Sequence, residues 1–237
     1  MKTEVAEIAD KIYRLSTFVP QVGPTGFTFN QFLVDADEPL LFHYGHRAMF
    51  PLISEAVKSV IPLAKLRWTT CSHVEADESG ALNLWLAAAP NATPAHGQTG
   101  CNIWLTDMAD RGPRVLKNDE TVDLGGKRVR WLDTPHVPHN WDAGLVYEET
   151  TGTLFSSDLF TQAGACPVMT SGDIVAPAIL TEKAVPFMPA TPQAAPTLRR
   201  LAALKPTTIA LMHGPTFKGD GSAALGALAD YYEKRRD

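Results

Sequence analysis

Apolar and polar positions alternate in short runs at the start of the chain. Residues 11–18, 27–35 and 39–44 each read as a strand, separated by turns that contain Gly, Pro or Asp. The period then lengthens. In "RAMFPLISEAVKSVI" the apolar residues fall at 49, 52, 53, 56, 57, 60 and 61, the stripe of a helix with one buried face. Pro51 belongs in its first turn, where a missing N–H costs little. "KLRWTTCS" returns to strand and "SGALNLWLAAA" to helix. Two hairpins follow. "ETVDLGGKRVRWLDT" alternates on both sides of Gly125-Gly126, a two-residue turn signal. "GLVYEETTGTLFSSD" turns at Thr151-Gly152.

A Pro-rich stretch, 167–196, reads as a long functional loop with at most short helical pieces. After it come a helix at 195–204, a strand "TTIALMH" and a closing amphipathic helix "SAALGALADYYEKRR". This order of elements predicts an α/β protein with two sheets packed together and helices outside. No linker-like shift in composition divides the chain, so residues 1–237 are expected to form a single domain.

Composition narrows the function. The 237 residues are 45% hydrophobic and 20% charged, with a net charge of −5, which leaves no electrostatic footprint for nucleic acid. The basic run Lys234-Arg235-Arg236 reads as a solvated helix end. No apolar run approaches the roughly 18–20 residues of a membrane span. The N-terminus lacks the basic-then-apolar order of a signal peptide, and a cytoplasmic location is expected. Cys71, Cys101 and Cys166 are odd in number and widely spaced, which argues for reduced, mostly buried thiols.

The chemistry-bearing residues fall at strand ends. His73, Glu75 and Asp77 follow one predicted strand. His136 and His139 follow another, Asp158 ends a third, and His213 ends a fourth. Rigid scaffolds place sites on such loops. Any one of these residues alone would read as a surface or hydrogen-bonded group. Four strand ends carrying ligand-type side chains point jointly to a metal site. Asp142 is a candidate carboxylate to orient a ligand His, with His136 as a pocket group. His43 and His46 read as structural or solvent-exposed, His96 has no evident partner, and Trp141, Phe160 and the 162–194 loop are candidate pocket walls.

The pattern His73-x-Glu75-x-Asp77, then His139, Asp158 and His213, resembles the metallo-β-lactamase superfamily, and most closely its flavodiiron, oxygen-binding di-iron branch. "SHVEADESGAL", "DTPHVPHNWDAGLVYEETTGTLFSSDLF" and "LMHGP" carry the likeness. The resemblance implies a four-layer αββα sandwich with two metals at one edge of the sheets. Hydrolases of the superfamily usually have His where Glu75 stands, and Glu is what the flavodiiron branch has. Oxygen ligands suit iron, and more imidazoles suit zinc. By resemblance, His73, Glu75 and His139 hold one iron, Asp77 and His213 the other, and Asp158 bridges. His139 is preferred to His136 because His139-x-x-Asp142 has the family's local pattern.

The chain departs from that family in two ways. Glu78 stands where the motif continues with His, as a further candidate ligand or a group turned away. A flavodoxin domain is also expected to be lacking, and with it FMN, so that electrons come from an external flavin or iron–sulfur donor. The expected function is therefore to bind or reduce O₂ or NO at two iron ions. The alternatives are a zinc-dependent hydrolase of an ester, thioester or phosphodiester, or a non-enzymatic oxygen or redox sensor. The resemblance further implies a homodimer.

Overall fold

The structure, a computed structural model, describes residues 1–235. Its first sheet follows the chain: β1 (Thr3–Ala9), β2 (Ile12–Val19), β3 (Phe27–Val34), β4 (Leu40–Phe42), β5 (Trp68–Thr70), β6 (Thr93–Gly97) and β7 (Arg114–Leu116). β1 to β4 pair antiparallel and β4 to β7 pair parallel. The second sheet has the order β12 (Met169–Thr170), β14 (Thr216–Lys218), β13 (Thr208–Leu211), β11 (Thr153–Ser157), β10 (Gly144–Glu148), β9 (Arg128–Asp133), β8 (Thr121–Asp123).

The two sheets bury a shared layer that includes Ile12, Phe32, Phe42, Trp131 and Phe155. Helices cover the outer faces. Over the first sheet lie α1 (Phe50–Lys58), α2 (Ala76–Ser79), α3 (Leu82–Ala88) and a helical run over 98–108. That run has α-helical ends, α4 (Gln98–Gly100) and α5 (Thr106–Met108), around one π-helical segment. Ile53, Val57, Trp85 and Trp104 belong to the core between these helices and the first sheet, with Leu15, Leu33 and Leu41. Over the second sheet lie α6 (Val175–Ala184), α7 (Ala194–Ala202) and α8 (Gly221–Lys234), packed through Leu198, Leu201, Leu225 and Leu228. Each fully buried Leu contributes roughly 1.5–3 kcal/mol. The four-layer αββα sandwich is thus observed.

The predicted hairpins form. Leu124 N–H donates to Lys127 O across Gly125 (φ 73°) and Gly126 (φ 87°), a turn that needs left-handed backbone at both central residues. In the second hairpin the buried Glu148 carboxylate accepts from the backbone N–H and hydroxyl of both Thr150 and Thr151. These bonds hold its pKa low against the cost of burial.

Other expectations need correction. The 167–196 stretch contains a ten-residue helix, α6, and the start of α7. Pro177 and Pro196 are each the third residue of their helix, where the N–H has no intrahelical acceptor, so neither breaks it. β1, β6, β7, β14 and the 98–108 helix carry too few apolar positions, or too short a pattern, to be read from periodicity. The basic C-terminal run is not wholly solvated. Arg235 pairs with the buried Glu182 of α6, and Arg236 lies outside the described residues. Cys71 and Cys101 are buried and Cys166 half-buried, all as free thiols.

α8 is anchored by Asp220, whose carboxylate accepts from Ala223 N–H at 2.9 Å. Replacing Asp220 with Ala is expected to cost about 1 kcal/mol, read as a lower urea midpoint with an unchanged m-value.

Candidate metal centre

Sheet topology brings the strand ends together. β9 is antiparallel to β10, β10 to β11, and β11 is parallel to β13. β9, β11 and β13 therefore run the same way, and His139, Asp158 and His213 follow their C-terminal ends. β5 supplies His73 from the other sheet. Two hydrogen bonds close the gap: Ser72 Oγ to Ser157 Oγ at 2.6 Å, and Gly144 N–H to Ser72 O at 2.8 Å. Ser157 sits at φ 50°, where β11 slips register against β13. That left-handed backbone costs about 1–2 kcal/mol and turns the chain into Asp158.

Two groups of metal-capable side chains result. The first is His73, Glu75, His139 and Asp158, and the second is Asp77, Glu78 and His213, with the donor atoms of each within 4.8 Å of one another. Asp158 lies between them. Its Oδ2 is 3.0 Å from His139 Nε2 and 3.4 Å from His73 Nε2, and its Oδ1 is 3.3 Å from His213 Nε2. His73 Nε2 also faces Glu75 Oε2 at 3.2 Å, and His213 Nε2 faces Asp77 Oδ2 at 3.3 Å. All six strand-end residues expected as ligands are in these groups.

Each imidazole turns Nε2 inward because Nδ1 is engaged elsewhere. His213 Nδ1–H donates to Thr28 O at 2.9 Å, His73 Nδ1 meets Ser72 Oγ at 2.8 Å, and His139 Nδ1 meets Asn140 Oδ1 at 3.3 Å. For His213 this bond keeps a proton on Nδ1, so that when a cation displaces the Nε2 proton the Nε2 lone pair points at it.

The charges here are held against burial. Burial disfavours the Asp158 carboxylate, yet contacts from His139 and His213 and the charge of His73 keep its pKa well below the usual range. Burial likewise opposes a charged His213, but Asp158 and Asp77 outweigh it and raise that pKa to about 10. Glu78 has no such help. Burial first, and then the negative charges of Asp158 and Asp77, push its carboxyl well above the usual range. It is 1% exposed, and neither Glu78 oxygen has a hydrogen-bond partner; nor does Asp158 Oδ1. Glu78 is turned inward. Buried oxygens without donors fit a cation, which would supply the missing charge.

The remaining candidates fall elsewhere. Asp142 holds no His. Its Oδ2 accepts from Val74 N–H at 3.0 Å and Trp104 Nε1–H at 2.8 Å, so it fixes the backbone just after His73. His136 is half-buried at φ 66°, outside both groups, and forms a turn through its N–H to Asn140 O. His43 is buried, bonded to Ser72 Oγ at 3.1 Å and Met212 Sδ at 3.0 Å. His46 is half-buried against Phe29. Trp141 is exposed, Phe160 belongs to the helix-covered core, and Phe187 beside His139 is the aromatic wall that 162–194 provides.

Ser72, Ser157 and the Arg14–Asn30 pair have no ligand chemistry of their own, and sequence reading passed over them. Asn30 Nδ2–H donates to Leu211 O and Gly214 O, and Arg14 donates to Asn30 Oδ1 and Gly214 O, which ties down the His213 loop. The signal was the adjacent polar pair Asn30 and Gln31 inside the strand "FTFNQFLV", which is buried along nearly all its length.

Comparison with known proteins shows the family and the fold. The family model described as "ODP family beta lactamase" matches residues 27–214, and the chain belongs to that family. Among its relatives is the rubredoxin-oxygen oxidoreductase of Megalodesulfovibrio gigas, 27% identical over 228 residues, covering 90% of this chain and 56% of that protein. A putative diflavin flavoprotein A 1 of Nostoc sp. is 30% identical over 138 residues, 57% of this chain and 24% of that protein. The chain thus matches about half, or less, of the length of these relatives. The crystal structure of the flavodiiron protein from Giardia intestinalis has the same fold, with a TM-score of 0.86 at 17% identity, over 99% of this chain and 60% of that one.

Burial depresses the pKa of His96 to about 4, and neither of its ring nitrogens has a hydrogen-bond partner. Below pH ~6.5 the unfolded chain binds a proton there that the folded chain refuses. Its contribution to stability is present above pH ~6.5 and is lost by roughly 1.4 kcal/mol per unit as pH falls toward 4. Urea melts of His96→Leu between pH 7 and 4.5 should show a flatter pH slope than the parent.

Proposed function

We propose that the two groups hold two iron ions and that the protein binds or reduces O₂ or NO with electrons from an external donor. The observation that carries this is the sharing of Asp158. One carboxylate presents each oxygen to a different imidazole set, the arrangement that a bridging ligand requires. His73, Glu75 and His139 hold one iron, and Asp77, Glu78 and His213 hold the other. Two irons held there would supply the redox chemistry, with the electrons coming from the external donor.

The donor set supports iron. Glu75, Asp77, Glu78 and Asp158 bring four carboxylates to three imidazoles. Ionised, they carry −4, which two divalent cations balance. An oxygen-rich set of this kind suits iron better than zinc. The chain's own residues position and shield. Ser72, Thr28 and Asn140 fix the imidazole rings, and Phe27 and Phe187 close apolar surface over them. Likeness to a rubredoxin-oxygen oxidoreductase favours oxygen chemistry. On this reading the domain works in the cytoplasm and receives electrons from a flavin or iron–sulfur centre.

Protein loaded with iron and mixed with a flavin reductase and reduced pyridine nucleotide should consume O₂ or NO faster than the reductase alone. No increase with either gas, in protein that retains iron, would reject the reductase reading and leave a sensor. Asp158→Ala should lose most of its metal in both groups, measured by mass spectrometry, and retention of two irons would reject the bridge. Ser72→Ala should weaken metal binding by roughly 10–100-fold, because the orientation of His73 is released.

A further inference from the structure

The cavity above the two groups has a volume of about 550 Å³. A water-sized molecule takes only roughly 30 Å³ in the liquid, so a diatomic leaves most of this space unused. The size falls within the roughly 300–1,000 Å³ of pockets that hold organic ligands. The ligand-bearing residues form its floor. Its walls come from segments far apart in sequence: Val22 from the turn between β2 and β3, Phe27 from the start of β3, and Leu180, Val185 and Phe187 from α6 and the chain after it.

The walls are selective in chemistry. Apart from the floor, the polar side chains that line the cavity are the neutral Thr25, Thr161 and Thr181, and none of the described residues lining it is Lys or Arg. α6 divides its side chains accordingly. Leu180 and Ala184 face the cavity, whereas Glu182 and Lys183 line a separate cleft beside Arg235. Leu180 is 71% exposed, Val185 64% and Val22 41%, so apolar surface at the mouth is left uncovered. Two rings stand over the floor: Phe27 lies 4.4 Å from the His213 ring and Phe187 6.1 Å from the His139 ring, between centroids.

We propose that this cavity binds an uncharged aromatic small molecule, seated between Phe27 and Phe187 and covering Leu180, Val185 and Val22. An anion finds no counter-charge in the walls, and a floor whose four carboxylates balance two divalent ions offers it no net positive charge. A cation gains no net attraction once two divalent ions balance those carboxylates, a point that rests on the di-metal reading above. A neutral ring loses little on leaving water and buries the apolar mouth. Once bound, it shields the floor from solvent.

The test is a fluorescence titration of the purified, metal-containing protein with 2-naphthol, uncharged at pH 7, and with 2-naphthoate, its anionic counterpart. Saturable binding of 2-naphthol, at least about tenfold tighter than 2-naphthoate, is expected. Val22→Lys and Leu180→Lys change exposed positions. Each should weaken 2-naphthol by about tenfold or more with unchanged metal content, whereas Leu180→Met should bind like the parent. Bound 2-naphthol should also slow removal of metal by a chelator. Equal or tighter binding of 2-naphthoate, lysine variants that bind 2-naphthol as the parent does, or no saturable binding by folded, metal-containing protein would each overturn the proposal. Folded protein without metal that still prefers 2-naphthol would uphold the cavity while rejecting the metal reading.

Discussion

Four carboxylates gathered within a few ångströms, Asp77, Glu78 and Asp158 buried and Glu75 half-exposed at the rim, are the constraint on which the site depends. Like charges this close cannot all ionise without compensation, and the rest of the site supplies it. Three imidazoles turn Nε2 toward the carboxylates, and Asp158 is shared between the two sets. Even so, Glu78 is buried with neither oxygen bonded. Protons can neutralise such a cluster, but divalent cations do so while using every donor. On the proposed di-iron reading, the excess of carboxylate over imidazole favours hard ions over zinc.

The fold exists at this edge to hold that charge in place. β9, β11 and β13 run in one direction, so their ends arrive together, and β5 meets them from the other sheet. Ser72 joins the sheets by touching His43, His73 and Ser157 through one hydroxyl. Asp142 fixes the backbone after His73, and Arg14 with Asn30 fixes the loop of His213. These groups bind nothing themselves. They hold the rings in one orientation, so that assembling the centre requires little further ordering of the chain.

Much of this was legible in the sequence because it follows local rules. Strand alternation and the Gly125-Gly126 turn are properties of neighbouring residues, and His73, Glu75, Asp77, His139, Asp158 and His213 each mark the end of a strand. What escaped depends on contacts between distant residues. The inward turn of Glu78 follows from the short helix α2, which buries both Asp77 and Glu78. Asp142 looked like a partner for a histidine, but its donors are Val74 N–H and the Trp104 indole from the unpredicted 98–108 helix. The 167–196 stretch looked like loop because prolines usually end helices, yet Pro177 and Pro196 sit in first turns. The apolar cavity was invisible because its walls belong to three separate segments, none of them amphipathic enough to announce a binding face.

The most direct measurement is the metal content of protein purified without added metal, by mass spectrometry, with a visible spectrum of the same sample. A carboxylate-rich di-iron centre predicts two irons per chain and near-ultraviolet and visible absorption in the oxidised protein. Two zincs in a colourless sample, or almost no metal in folded protein, would contradict it.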